Sequence, residues 1–528
     1  MANRTSCQKN KKGPSGFDAM KIHKVLLIII ILAGVFFRCA EFFSEKSLWF
    51  DEAKTALKIE GNTCEQLING KTITKKQPYP AGFLIITKWF SMLGGNNELS
   101  LRLFPFVCGI LALFLFYRVA HELFGPAPAL LALSFFALSP NLIYYSSELK
   151  PYSSDILFTV IFLHVFYNII HKELSRQKII LFGVVGGLAF WVSYPVVFVA
   201  AGMGLSTLVL SLRQRDMIRS RKIVAIGLLW AAHFCLFYFL YIRYFTRADG
   251  LVHYWRVAYM PLNIFSFEFM RWFMGSFALF FKINLKFPVS LSALTMIMGS
   301  VALYKEQRKN FFLLGAPILL VLFASGLKIY PFQGRVILFL VPIFMLVIVH
   351  GVYKFIEGIK AAKYIRVLLI IFFLYYPVLH TLRQWREPYG KSEIKPVMRY
   401  LSDHRQPGDK VYLYYSTQAA FRYYAEHMGL MEGDYIIGID SREDPGQYKK
   451  DLEQLRGGER VWVVFSDVFY ERDGINEGEY FLDILNRLGR QLDAYTVHIP
   501  AYSPPAYLKE TFSAGLYLYD LSAGTSTK

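Results

Sequence analysis

Two adjacent carboxylates stand in the stretch Trp49-Phe50-Asp51-Glu52-Ala53, just beyond the first long apolar run of the chain. Ionisable groups at a membrane boundary are costly and need a reason. A carboxylate can take the proton that an acceptor hydroxyl loses as it attacks an anomeric carbon, which makes Asp51 and Glu52 the candidate catalytic pair. The plainer reading is a solvated acidic pair that ends a helix. Further along the same segment, Lys75-Lys76-Gln77-Pro78-Tyr79-Pro80 places two lysines before a proline-stiffened turn. Point charges of this kind can hold a lipid phosphate, with Tyr79 beside them; a basic turn against anionic lipid heads is the alternative. A third cluster runs from Tyr144 to Asp155 and gathers Glu148, Lys150 and Asp155 among Tyr144, Tyr145 and Tyr152. On a continuous helix Glu148 and Asp155 share a face, but Pro151 stands between them. The alternative is an aromatic belt with snorkelling charges. The fourth is Tyr330-Pro331-Phe332-Gln333-Gly334-Arg335, whose guanidinium can grip a phosphate bidentately or simply anchor a helix end.

Apolar helices must position these groups. The 528 residues are 54% hydrophobic and 18% charged, whereas soluble chains are roughly 45–50% apolar and about 25% charged. Windows such as Val25–Phe37, Leu103–Phe116, Ile179–Trp191 and Val336–Val349 hold almost no charge. A spanning helix needs roughly 20 mainly apolar residues, and backbone polar groups in lipid must pair internally. The pattern predicts about eleven transmembrane helices: 24–43, 102–120, 127–146, 153–171, two across 179–211 turning at Tyr194-Pro195, then 223–244, 287–304, 311–326, 335–352 and 367–383. Ala81–Leu93 is short for a span and reads as a helix on the outer surface. The formal charge of +19 does not signal nucleic acid, because the basic residues are spread over short loops between apolar blocks. With those loops inside, the N-terminus is cytoplasmic and all four clusters face the outer compartment. Five cysteines show no paired or metal-binding spacing.

After Arg383 the composition changes. Strand patterns at Lys410–Tyr415, Tyr435–Ile439, Val461–Phe465 and Leu516–Leu521 alternate with helical stretches at Gln418–Met428, Tyr448–Leu455 and Tyr480–Leu488. This predicts a soluble α/β domain outside the cytoplasm, with Gly457-Gly458 as a helix C-cap. The expected division is a cytoplasmic tail 1–24, a transmembrane domain 25–384 with an outer loop 44–101, and the soluble domain 385–528.

In order, these motifs resemble the C-type superfamily of membrane glycosyltransferases, above all its family-39 group of protein O-mannosyltransferases and bacterial lipid A aminoarabinose transferases. The resemblance runs from the first to the last predicted span. It is carried by Trp49-Phe50-Asp51-Glu52-Ala53, Pro78-Tyr79-Pro80, Glu98-Leu99-Ser100-Leu101-Arg102-Leu103, Leu138-Ser139-Pro140, Glu148-Leu149-Lys150-Pro151-Tyr152, Tyr330-Pro331, Arg335 and Pro342. It implies a polyprenyl-phosphate sugar donor, inverting transfer to a glycan, lipid or protein acceptor, and a site on the outer face of the cell membrane, expected to be a bacterial inner membrane. Asp51 then takes the base or acceptor-orienting role, with Glu52 second. Lys76, beside Lys75, and Arg335 hold the donor phosphate. Lys150 stands where relatives commonly carry arginine; it keeps the charge but loses the fork. Tyr79, Glu148, Tyr152, Asp155 and Tyr330 are the remaining candidate substrate contacts. No cofactor is implied, and nothing in the spacing of Asp51, Glu52 and Glu148 demands a divalent metal. The competing readings are a transporter or flippase of lipid-linked sugars and a membrane scaffold. Transporters usually carry ionisable groups near the bilayer midplane and internal repeats. Here His164 and His233 are the main such groups, and the halves show no repeat.

Overall fold

The computed structural model describes residues 16–69, 79–95, 97–173, 175–244, 255–359, 363–388, 390–425, 428–442, 444–469, 476–498 and 512–522. The chain opens on helix α1 (Gly16–Phe42), whose start takes in the end of the expected tail. Next come α2 (Phe50–Glu60), α3 (Cys64–Ile68) and α4 (Ala81–Gly94). Long apolar helices follow: α5 (Glu98–Phe124), α6 (Pro126–Ala137), the short α7 (Pro140–Tyr145), α8 (Tyr152–His171), α9 (Arg176–Val192), α10 (Val196–Arg213) and α11 (Met217–Leu240). After these come α12 (Phe267–Leu279), α13 (Val289–Glu306), α14 (Arg308–Gly326), α15 (Val341–Gly358) and α16 (Lys363–Arg386).

Eight of the described helices are long and apolar enough to cross a membrane, and the bent pair α12–α13 makes a ninth. With α6 and α9 these account for the eleven helices expected, and the protein is a multi-pass membrane protein. Two expectations change. The helix expected over 127–146 breaks at Leu138-Ser139, because Pro140 lacks an N–H and pushes Ser139 into extended backbone. Glu148 and Asp155 do not share a helix: α8 begins only after Pro151, and Glu148 lies in the turns before it.

Packing divides the chain into two units. The first comprises residues 1–40, 106–146 and 151–382. Its helices meet through small residues. A Cβ on Gly299 of α13 would lie 2.0 Å from the Val347 carbonyl of α15, and one on Gly351 of α15 would lie 1.9 Å from that of Thr295. The backbones of α13 and α15 therefore touch. Gly183, Gly186 and Gly187 of α9 likewise admit Leu229, Trp230 and His233 of α11. One buried charge escaped the sequence reading. Arg38, near the end of α1, is 1% exposed, and its guanidinium donates to the carbonyls of Gly34, Phe136 and Ala137.

The second unit comprises residues 41–105, 147–150 and 383–528, so the outer segment groups with the C-terminal region and not with the apolar helices. It adds helices α17 (Ile394–His404), α18 (Gln418–Ala425), α19 (Gly446–Glu453) and α20 (Glu477–Leu488). Its strands are β1 (Lys410–Leu413), β2 (Ile436–Ile437), β3 (Val461–Ser466), β4 (Arg490–His498) and β5 (Phe512–Asp520). They form one sheet in the order β2-β1-β3-β5-β4, with β1, β2 and β3 parallel and β5 antiparallel to β3 and β4. β3 is buried throughout, as an uninterrupted apolar strand between covered faces should be. Tyr412, Tyr448, Leu452, Val463, Phe465, Phe481, Leu485 and Tyr519 make the core of one face. Gly457-Gly458 is not a helix cap: α19 has already ended at Glu453, and Gly457, at φ +84°, sends its N–H to the Leu521 carbonyl.

Candidate active site

The site is built in the second unit on the first turn of α2, which presents Asp51 and Glu52, both buried. The segment before it, residues 45–49, has no regular secondary structure, and its polar groups and the first N–H of α2 are taken up by side chains from far along the chain. Ser47 donates through its N–H and its hydroxyl to Glu393 Oε2, at 3.0 and 2.9 Å. The Leu48 N–H reaches the Tyr424 hydroxyl (2.8 Å), and the Phe50 N–H reaches Asp467 Oδ2 (2.9 Å). Arg102, on α5, donates to the carbonyls of Lys46 and Ser47. The same guanidinium grips Glu52 in a two-pronged pair, Nε to Oε1 at 2.9 Å and Nη2 to Oε2 at 2.7 Å. Glu52 Oε1 also accepts from the Leu149 N–H at 2.7 Å, which fixes the turn carrying Glu148 and Lys150. Glu52 is thus committed to holding three segments together.

Asp51 points elsewhere. Lys150 Nζ lies 3.6 Å from its Oδ2, with both side chains buried. The Lys150 ammonium donates to the Tyr79 hydroxyl and sits 4.7 Å from the centre of the Tyr79 ring. A second cation, Lys58 of α2, lies 5.4 Å from that ring. Burial, then the neighbouring Lys150, lowers the Lys58 ammonium to about 8. Glu148 closes the cluster. Its Oε1 accepts from Trp49 Nε1 (2.9 Å) and from Lys391 Nζ (2.8 Å), and that ammonium stands 3.9 Å above the Trp49 ring. Its Oε2 is buried and accepts no hydrogen bond among the described residues. Two like charges around one tyrosine ring, a carboxylate held by a lysine and an open buried acceptor can bind an anion and orient a hydroxyl.

The structure brings Asp51, Glu52, Tyr79, Glu148 and Lys150 together in this unit. Lys75 and Lys76 lie outside the described residues. The other candidates belong to the first unit. Tyr152 opens α8 with its ring edge-on to Tyr145 at 5.1 Å, and Asp155 is buried one turn later with the Ser193 hydroxyl as neighbour. The Tyr330 hydroxyl donates to the Val336 carbonyl (2.7 Å), and burial, with Asp155 adding to it, raises that phenol well above its ordinary range. Arg335 follows Gly334, whose φ of +60° suits glycine and whose carbonyl is held by Asn284. Sequence reasoning missed Lys58, Arg102 and Lys391 as participants. Lys58 was within reach, since it sits seven residues after Asp51 on one helix face. Nothing in the sequence pointed Lys391 toward Glu148.

By sequence, residues 76–248 match the family model described as dolichyl-phosphate-mannose-protein mannosyltransferase. By structure, ArnT from Cupriavidus metallidurans in the apo state aligns with TM-score 0.53 at 12% identity, covering 97% of this chain and 100% of that one. The chain shares the fold of this ArnT structure. The same ArnT bound to undecaprenyl phosphate aligns with TM-score 0.51 at 12% identity over 96% of this chain and 98% of that one. The archaeal oligosaccharyltransferase AglB from Archaeoglobus fulgidus, in complex with an inhibitory peptide and a dolichol-phosphate, aligns with TM-score 0.50 at 11% identity over 93% and 76%. No curated protein matches the chain by sequence.

Proposed function

We propose that the protein is a glycosyltransferase that moves a hexosyl or pentosyl group from a polyprenyl-phosphate-linked donor to an acceptor on the extracytoplasmic face of a bacterial inner membrane. The observation that carries this reading is the buried Asp51–Lys150–Tyr79 cluster with Lys58 beside it. The fold shared with proteins bound to undecaprenyl phosphate and dolichol-phosphate supports it.

In this reading the acceptor hydroxyl gives its proton to Asp51 as its oxygen bonds to the anomeric carbon from the face opposite the phosphate. The bond from that carbon to the phosphate oxygen breaks, its electron pair leaves with the polyprenyl phosphate, and configuration inverts. The ion pair with Lys150 holds the Asp51 carboxylate in one orientation. Lys58 and Lys150 meet the charge that grows on the leaving phosphate, and Arg335, Lys75 and Lys76 keep their sequence-based assignment to the same phosphate. The open Oε2 of Glu148 accepts from a substrate hydroxyl, and Tyr79, Tyr152, Asp155 and Tyr330 are further substrate contacts. Glu52 acts through Arg102 and Leu149 to keep Asp51 in place.

Membranes containing the protein, given radiolabelled sugar on a polyprenyl phosphate, should transfer label to acceptor. Asp51→Asn should cut this by about 10²-fold or more, the usual worth of a general base, with expression intact. Undiminished transfer by that variant would remove Asp51 from the mechanism. Failure of the wild-type protein with any polyprenyl-phosphate sugar would overturn the assignment.

A further inference from the structure

The helix that carries Asp51 has no cap of its own. Trp49, at the N-cap position, makes no side-chain bond to the first-turn N–H groups, and such donors need partners when buried. The Phe50 N–H finds its partner in Asp467 Oδ2, 2.9 Å away and 417 positions along the chain. Asp467 directly follows β3 and takes φ +53°, a left-handed conformation few non-glycine residues adopt. Strain of this kind persists where the surroundings over-determine it. The Ser416 hydroxyl donates to the carbonyls of Ser466 (2.7 Å) and Asp467 (2.9 Å) and so holds the turn. The Ser466 hydroxyl donates to Asp467 Oδ2 at 3.1 Å, and the Phe50 ring meets Phe469 edge-on at 6.3 Å. The position is the carboxyl end of a parallel strand, between β1 and β5, where open α/β sheets place functional residues.

We propose that Asp467 is a positioning residue for sugar transfer: its ionised carboxylate fixes the first turn of α2 and, through it, the Asp51 carboxylate. The proposal rests on the glycosyltransferase reading above and gives the C-terminal region a part in the chemistry. Helix N-termini favour anions, so the ionised form holds α2 better than the neutral acid. Burial pushes the Asp467 carboxyl up to about 7; Asp51 on α2 adds to this, while the Phe50 N–H, the Ser466 hydroxyl and Lys391 oppose it. Lys391 is shared with Glu148, and Asp51 with Lys150. Transfer therefore weakens as pH falls through about 7, when Asp467 takes up a proton.

The test compares Asp467→Asn, which keeps an acceptor oxygen but no charge, with Asp467→Ala, which keeps neither. In Asp467→Asn, kcat at pH 8 falls about tenfold to a hundredfold, the cost of a misplaced catalytic group. Donor KM changes little, and the acid limb near pH 7 disappears. Amide exchange over Leu48–Glu60 speeds up in Asp467→Ala and is partly restored in Asp467→Asn. A wild-type kcat with the acid limb unchanged in Asp467→Asn, or exchange over Leu48–Glu60 unaltered in Asp467→Ala, would overturn the proposal. Exchange is read without turnover. A wild-type protein lacking transferase activity would thus sink the functional reading, while the exchange arm still decides whether Asp467 holds the Asp51 helix.

Discussion

Lys58 lies two helical turns beyond Asp51 on α2, half-buried against Tyr79, and its ammonium titrates near 8 because burial and Lys150 both disfavour the charge. The sign follows directly. Below about pH 8 Lys58 is charged and, in the proposed mechanism, adds to the pull of Lys150 on the donor phosphate; above it the charge is lost. Donor KM should therefore rise as pH climbs from 7 to 9, and Lys58→Met should raise KM already at pH 7 and flatten that dependence. Initial rates against donor concentration at each pH check this; an identical KM profile in the variant would exclude Lys58 from donor binding. At this scale the sequence was half legible. Asp51, Glu52, Tyr79, Glu148 and Lys150 are named by residue type and placement near predicted helix ends, and the structure gathers them. The resemblance ranked Asp51 before Glu52, but residue type and spacing alone gave no physical reason for a division of labour within the acidic pair. Only the fork from Arg102 to Glu52 separates a carboxylate that holds structure from one left facing Lys150.

Elements were legible where hydrophobicity is long-range and illegible where single residues decide. The apolar blocks announced the helices, because lipid forces every backbone group to pair within its own segment. The break at Leu138-Ser139 came from Pro140 alone and vanishes in a hydropathy average. α2 carries too few apolar residues to stand out, and its helicity depends on partners such as Asp467. β4 was missed because its burial is broken and bulged along its pairing with β5. The contact of α13 with α15 gives a test at this scale. Gly351→Ala places a methyl 1.9 Å from the Thr295 carbonyl, a backbone atom that cannot turn aside. Overpacking of this kind costs about 1–3 kcal/mol, so the variant should melt lower in detergent than wild type. Gly315→Ala is the control: nothing lies within 4 Å of its added methyl, and helical propensity alone favours it by up to about 1 kcal/mol. Equal melting temperatures for the two variants would refute close backbone contact between α13 and α15.

For the whole molecule, the sequence placed the change of character near Arg383, and the unit boundary falls between Leu382 and Arg383. It did not foresee that residues 41–105 group with the C-terminal region, since hydrogen bonds such as Ser47 to Glu393 leave no periodic trace. Orientation is tested by labelling. In a variant stripped of its native cysteines, Arg215→Cys, in the exposed basic turn between α10 and α11, should resist a membrane-impermeant maleimide in intact spheroplasts. Glu432→Cys, on the exposed surface of the C-terminal region, should react at once. The reverse pattern would invert the proposed topology.

The hydrogen bonds that fasten residues 47–50 also have a consequence in time. A ribosome delivers the Asp51 segment early, but its partners Glu393, Tyr424 and Asp467 emerge 346 to 417 residues after the groups they bind. Until then the segment that carries Asp51, the proposed base, lacks these partners, so under the proposed mechanism a nascent chain should be inactive. A chain stopped before Asp467 should accordingly transfer no sugar in the membrane assay, even with Asp51 in place.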